Sequence, residues 1–128
     1  MRQHNQGFTL IELLVVVAII GIISAVSVVA YSGYKSSAEK KQAEITLNTI
    51  YLAEQEYKSN NGEYYFNAST SNLVTNLFDG VDDLSGQSYT FKTTNASSLT
   101  ITATKKTNTS CTISITEKNK KPNASSAC

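Results

Sequence analysis

Gly7-Phe8-Thr9-Leu10-Ile11-Glu12 opens onto a long apolar run, and the carboxylate at its threshold decides how the chain is read. Glu12 is the only acidic residue among the first thirty-eight, and the eighteen residues from Leu13 to Ala30 carry no charge. A run of this length and composition reads as a membrane-spanning helix. A carboxylate in or beside such a helix is expensive unless something neutralises it, so an acid kept there points to a function.

Two ordinary readings of an apolar amino-terminal run fit less well. A secretory signal places its small-residue cleavage site after the apolar core, whereas Gly7 precedes it. A plain signal anchor accounts for the apolar run but offers no reason for Glu12. Gly7-Phe8-Thr9-Leu10-Ile11-Glu12-Leu13 followed by Val17-Ala18-Ile19-Ile20-Gly21-Ile22 resembles the start of a type IV pilin precursor. The resemblance is close over roughly the first 28 residues and looser along the rest of the helix. It implies cleavage by a prepilin peptidase between Gly7 and Phe8, N-methylation of Phe8, and pairing of Glu12 with the terminal amine of a neighbouring subunit during filament assembly. The implied partners are other pilin subunits, the peptidase, the inner-membrane pilus assembly machinery and the inner membrane itself. The implied localisation is the inner membrane as precursor, then an extracellular pilus. Many type IV pilins carry a proline inside the apolar helix, and this sequence has Val29 at that place.

The expected organisation is a leader over 1–7, an assembly helix over 8–30 and a head over 31–128. That leaves enough chain for one modest core. The charges outside the leader are balanced, ten lysines against ten Asp plus Glu, so no global basic character points to nucleic acid. Cys111 and Cys128 are the two cysteines. An exported protein of this size normally pairs its cysteines, so a bond between them is expected to pin the carboxyl terminus.

The spacing predicts one helix from Phe8 to about Ser59, apolar all round to Ala30 and amphipathic afterwards, with Ala43, Leu47, Ile50 and Tyr57 on one stripe and Tyr51 on its flank. Gly33 marks a weak point in it, and Asn60-Asn61-Gly62 supplies the stop. From Glu63 to Gly86 no period persists, although Asn72 to Phe78 suits a short helix capped by Ser71. Beyond that the period becomes two, through Tyr89 and Phe91, then Leu99, Ile101 and Ala103, then Cys111, Ile113 and Ile115. The separators at 94–97 and 106–109 are short and turn-forming, which argues an antiparallel meander with one face on the helix. The expected class is α+β, a type IV pilin fold in which a long amino-terminal helix packs on a sheet of three to four strands.

The single histidine, His4, lies in the expected leader, and the remaining chain has no phosphate-binding glycine loop and no Ser-His-Asp set. Neither enzymatic activity nor a cofactor is expected. Asp79, Asp82 and Asp83 gather carboxylates in one turn but lack the fuller spacing of a calcium loop. Lys105, Lys106, Lys118, Lys120 and Lys121 make the last third locally basic. If the fold brought them together they would offer phosphates a non-specific DNA contact, and lysines that guard a sheet edge explain them equally well. The expectation is a filament subunit serving adhesion, twitching motility or DNA uptake. The alternatives are a type II secretion pseudopilin and a minor pilin specialised for DNA or a host surface.

Overall fold

The computed structural model describes residues 7–66, 69–94 and 98–128, without the side chain of Val29. The expected leader ahead of Gly7, with His4, and most of the separator at 94–97 lie outside them. The chain divides into two compact units, the first ending at Ser37 and the second running from Ala38 to Cys128.

Helix α1 runs from Leu10 to Asn61. Thr9 starts it: its hydroxyl accepts the Glu12 N–H at 3.3 Å while the Glu12 carboxylate accepts the Thr9 N–H at 2.8 Å. This reciprocal exchange is a capping box and satisfies donors that the first turn otherwise leaves open. Within the apolar run the hydroxyls of Ser24 and Ser27 donate back to the carbonyls of Ile20 and Ile23, both at 2.7 Å. Gly33 does not interrupt the helix. The carboxyl end lies two residues beyond Ser59. Gly62 adopts φ 84° and its N–H donates to the Lys58 carbonyl at 2.8 Å, a left-handed stop that glycine adopts without a Cβ penalty.

In the second unit Ala43, Leu47 and Ile50 are buried and form one side of the core. The other side is a four-stranded antiparallel sheet in the order β1 (Tyr89–Thr94), β2 (Thr100–Lys105), β3 (Asn108–Thr116) and β4 (Asn123–Ala124). Tyr89, Phe91 and Thr93 of β1, Ile101 and Ala103 of β2, and Cys111, Ile113 and Ile115 of β3 are buried. Their alternation puts one face of the sheet into the core. The register aligns Phe91 with Ala103 and Ala103 with Ile113. The fold is therefore α+β, as expected.

Three details depart from the sequence reading. The short helix α2 spans Thr70–Leu77 and is capped by Ser69, whose hydroxyl accepts the Asn72 N–H, not by Ser71. Thr70 is drawn to that position by the sheet, because its hydroxyl donates to the Phe91 carbonyl and accepts the Phe91 N–H, each at 3.0 Å. The second separator shrinks to Lys106-Thr107, with Asn108 already paired to Lys105. The tail also supplies β4, two residues that pair with Ile113 and Ser114.

Candidate functional site

The amino-terminal unit exposes what a soluble protein would bury. Phe8 is 87% exposed, and Leu10, Ile11, Leu13, Leu14 and the valines and isoleucines up to Val28 are exposed as well. The helix is long and apolar enough to cross a membrane. Both hydrogen-bonding groups of Thr9 converge on one oxygen of Glu12, the N–H at 2.8 Å and the hydroxyl at 2.7 Å. The lone carboxylate of this surface is thus held by its own chain. Gly7 lies just before the helix, exposed, and a Cβ built there would meet nothing within 4 Å. The Gly7–Phe8 bond is therefore accessible.

In the head, Cys111 and Cys128 form a disulfide. Cys111 is buried in β3 and Cys128 is exposed, so the bond carries the tail back across the sheet. Ser125 reinforces it by donating its N–H to the Thr112 carbonyl at 2.8 Å and its hydroxyl to the Ser110 carbonyl at 2.9 Å.

The five lysines do not gather. Lys105 and Lys106 lie at the β2–β3 turn, whereas Lys118, Lys120 and Lys121 follow the opposite end of β3. Nine residues of strand separate the two groups by about 30 Å. Lys105 pairs with Glu39 at 3.6 Å, and Lys106 donates to the Ser85 carbonyl at 2.9 Å. At the other end Lys120 approaches the face of Tyr51, 5.9 Å from the ring centroid. The five lysines therefore fall into two groups, because an antiparallel hairpin puts its turn and its open ends at opposite ends of the strands. Lys118, Lys120 and Lys121 remain as a smaller exposed cluster beside Glu117.

The acidic turn is spent on its own backbone. Asp82 accepts the N–H groups of Leu84 and Ser85 at 3.2 and 2.8 Å and the Ser85 hydroxyl as well. These bonds, the Ser85 hydroxyl first, hold its carboxyl below the usual aspartate range. Asp79 takes a left-handed φ of 50°, followed by Gly80 at 81°, which reverses the chain after α2. Among the described residues no group of three or more His, Cys, Asp or Glu stands ready for a metal ion.

One residue that the sequence reading passed over stands out. Glu54 falls on the apolar stripe, four residues after Ile50, and is fully buried. One carboxylate oxygen accepts the Tyr65 N–H at 2.9 Å, and the other has no partner among the described residues. Burial pushes its pKa from 4.5 up to about 7, against the smaller downward pull of the Tyr65 N–H. The signal for it was in the spacing: Ala43, Leu47, Ile50 and Tyr57 define a stripe whose missing member is position 54. The bond fastens the segment after α1 to the helix, and the Thr93 hydroxyl continues the path by donating to the Tyr65 carbonyl at 3.1 Å.

An open groove of about 720 Å³ lies in the head between α1 and the segment after α2, lined by Ile45, Thr49, Phe78 and Leu84 among others. Its titratable residues are Glu39, already paired with Lys105, and Asp83. That set holds no nucleophile with an adjacent base.

No curated protein and no solved structure matches the chain. Residues 2–28 match the sequence-family model of the prokaryotic N-terminal methylation motif. The motif and the apolar helix fit residence in the inner membrane before assembly into an extracellular pilus. What the amino-terminal segment of this chain carries is the hallmark of type IV pilin and pseudopilin precursors.

Proposed function

We propose that the chain is a structural subunit of a type IV pilus, cleaved by prepilin peptidase between Gly7 and Phe8, methylated at Phe8 and polymerised through α1. The observation that carries this reading is the pairing of the methylation motif over residues 2–28 with an apolar helix surface that stands exposed among the described residues. In the membrane, lipid covers that surface. In a filament, the helices of neighbouring subunits cover it instead, and side chains from Phe8 to Ala30 become a shared core. Apolar packing has no direction along the axis, so a polar landmark is needed to set register. Glu12 supplies it by accepting a neighbour's terminal amine, and a slipped register leaves a charge unpaired in an apolar core, which is costly. The partners are further pilin subunits, the peptidase and the inner-membrane assembly machinery.

The head is a spacer that displays its sheet and its disulfide-closed tail, and adhesion, twitching motility or DNA uptake would act through that surface. The separation of Lys105 and Lys106 from Lys118, Lys120 and Lys121 weighs against a broad DNA-binding face. Intact mass spectrometry of sheared surface filaments tests the proposal. A chain that begins at methylated Phe8 and gains two hydrogens on reduction supports it. A chain found only in membranes and still carrying residues 1–7 overturns it.

A further inference from the structure

The apolar run of α1 ends at a pair of aromatic side chains that face outward. Tyr31 and Tyr34 are 68% and 76% exposed. Three residues apart on a helix, they share one side of it, and Lys35 follows directly. From Glu12 to Tyr31 the helix advances nineteen residues, about 28 Å at 1.5 Å each. The hydrocarbon of a bilayer is about 30 Å thick. Between these two landmarks the hydroxyls of Ser24 and Ser27 are satisfied by their own helix, so that stretch asks nothing of the lipid. Tyrosine has an apolar ring and a polar tip, which suits it to the boundary between acyl chains and headgroups. A lysine beside it extends its ammonium towards the phosphates while its stem stays among the chains.

We propose that Tyr31, Tyr34 and Lys35 form a phospholipid-headgroup anchor that fixes the depth of the precursor in the bilayer. With the tyrosines held at one interface, the length of the helix puts Glu12 at the other, where water and the Thr9 cap share its charge. The anchor thus explains how a lone carboxylate is carried in a membrane helix before any neighbouring subunit pairs with it. The inference rests on the reading of the chain as a membrane-inserted precursor.

The chain contains no tryptophan, so a single introduced indole reports its own depth without background. The full-length protein would be reconstituted into phosphatidylethanolamine and phosphatidylglycerol vesicles as Tyr34→Trp and, separately, as Ile20→Trp. Lipids brominated near the headgroup or near the chain end serve as quenchers. The expected result is a larger loss of fluorescence from shallow than from deep bromines for Tyr34→Trp, and the reverse order for Ile20→Trp. Adding Tyr31→Ala to Tyr34→Ala in the Ile20→Trp background should shift the depth of the indole. Three results overturn the anchor: Tyr34→Trp unquenched by either lipid, Tyr34→Trp quenched best by deep bromines, or a depth at Ile20→Trp unmoved by removal of both tyrosines. If Ile20→Trp itself is not quenched, the membrane reading fails and the anchor with it, an outcome distinct from the other three.

Discussion

Glu54→Gln tests whether a buried acid sets the pH profile of head stability. The folded carboxyl titrates near 7 and an exposed one near 4.5, so between those values the folded state holds more protons than the unfolded one. Stability therefore falls as pH rises through this window and levels off above it. At 1.36 kcal/mol per pKa unit the fall is at most about 3 kcal/mol, a large part of the 5–15 kcal/mol typical of a domain. Asp82 acts in the opposite sense, since its lowered pKa contributes stability that is lost only as pH drops below the normal aspartate range. The two effects are therefore separable by pH. Glutamine at position 54 keeps the oxygen that accepts the Tyr65 N–H but leaves an amide donor where the unpaired oxygen stands, at a cost of about 1–3 kcal/mol. The variant should be the weaker protein at pH 5 and should approach or pass the wild type at pH 8. The assay is urea unfolding of the whole chain in mild detergent at several pH values, followed by the near-UV signal of the tyrosines. A variant that keeps the wild-type decline between pH 5 and 7 would refute the argument, as would a wild type whose stability rises over that interval.

Glu12→Ala is expected to leave membrane insertion and leader cleavage intact while abolishing filaments, and sheared-filament yield against membrane content measures this. Gly7→Trp should block processing, leaving the mass of the unprocessed chain, since the enzyme must approach the bond before Phe8. Replacing Cys111 and Cys128 together by serine removes a cross-link between residues 17 apart in sequence, worth roughly 3 kcal/mol in the chain-entropy account. Hydrogen exchange should then rise first at the Ser125 and Thr112 amides, and an unchanged urea midpoint would contradict the estimate.

The three long strands were legible because each alternates over a buried face: Tyr89 with Phe91, Ile101 with Ala103, and Cys111 with Ile113 and Ile115. The end of α1 was legible because Gly62 is the residue that accepts a left-handed turn there. What escaped was set by contacts distant in sequence. β4 consists of two residues with no period of their own, aligned by the disulfide and by Ser125. The cap of α2 moved to Ser69 because Thr70 was claimed by Phe91, twenty-one residues away. The lysines were countable but their separation was not, since it follows from the length of β3 and the tightness of the turn before it. Glu54 was overlooked because a search for apolar periodicity does not notice a charged residue that keeps the period.

The hydroxyl of Thr70 also guards an exposed sheet edge. β1 is an outer strand, and an outer strand offers unpaired amides to any neighbour that drifts alongside. At Phe91, the middle of that strand, both backbone groups are already taken by Thr70, as a second strand would take them. One side chain thereby closes the middle of the β1 edge to strand addition. If the chain polymerises through its helices as proposed, heads pressed side by side along β1 would meet an edge already occupied at its middle, which disfavours joining their sheets into a continuous β-ribbon.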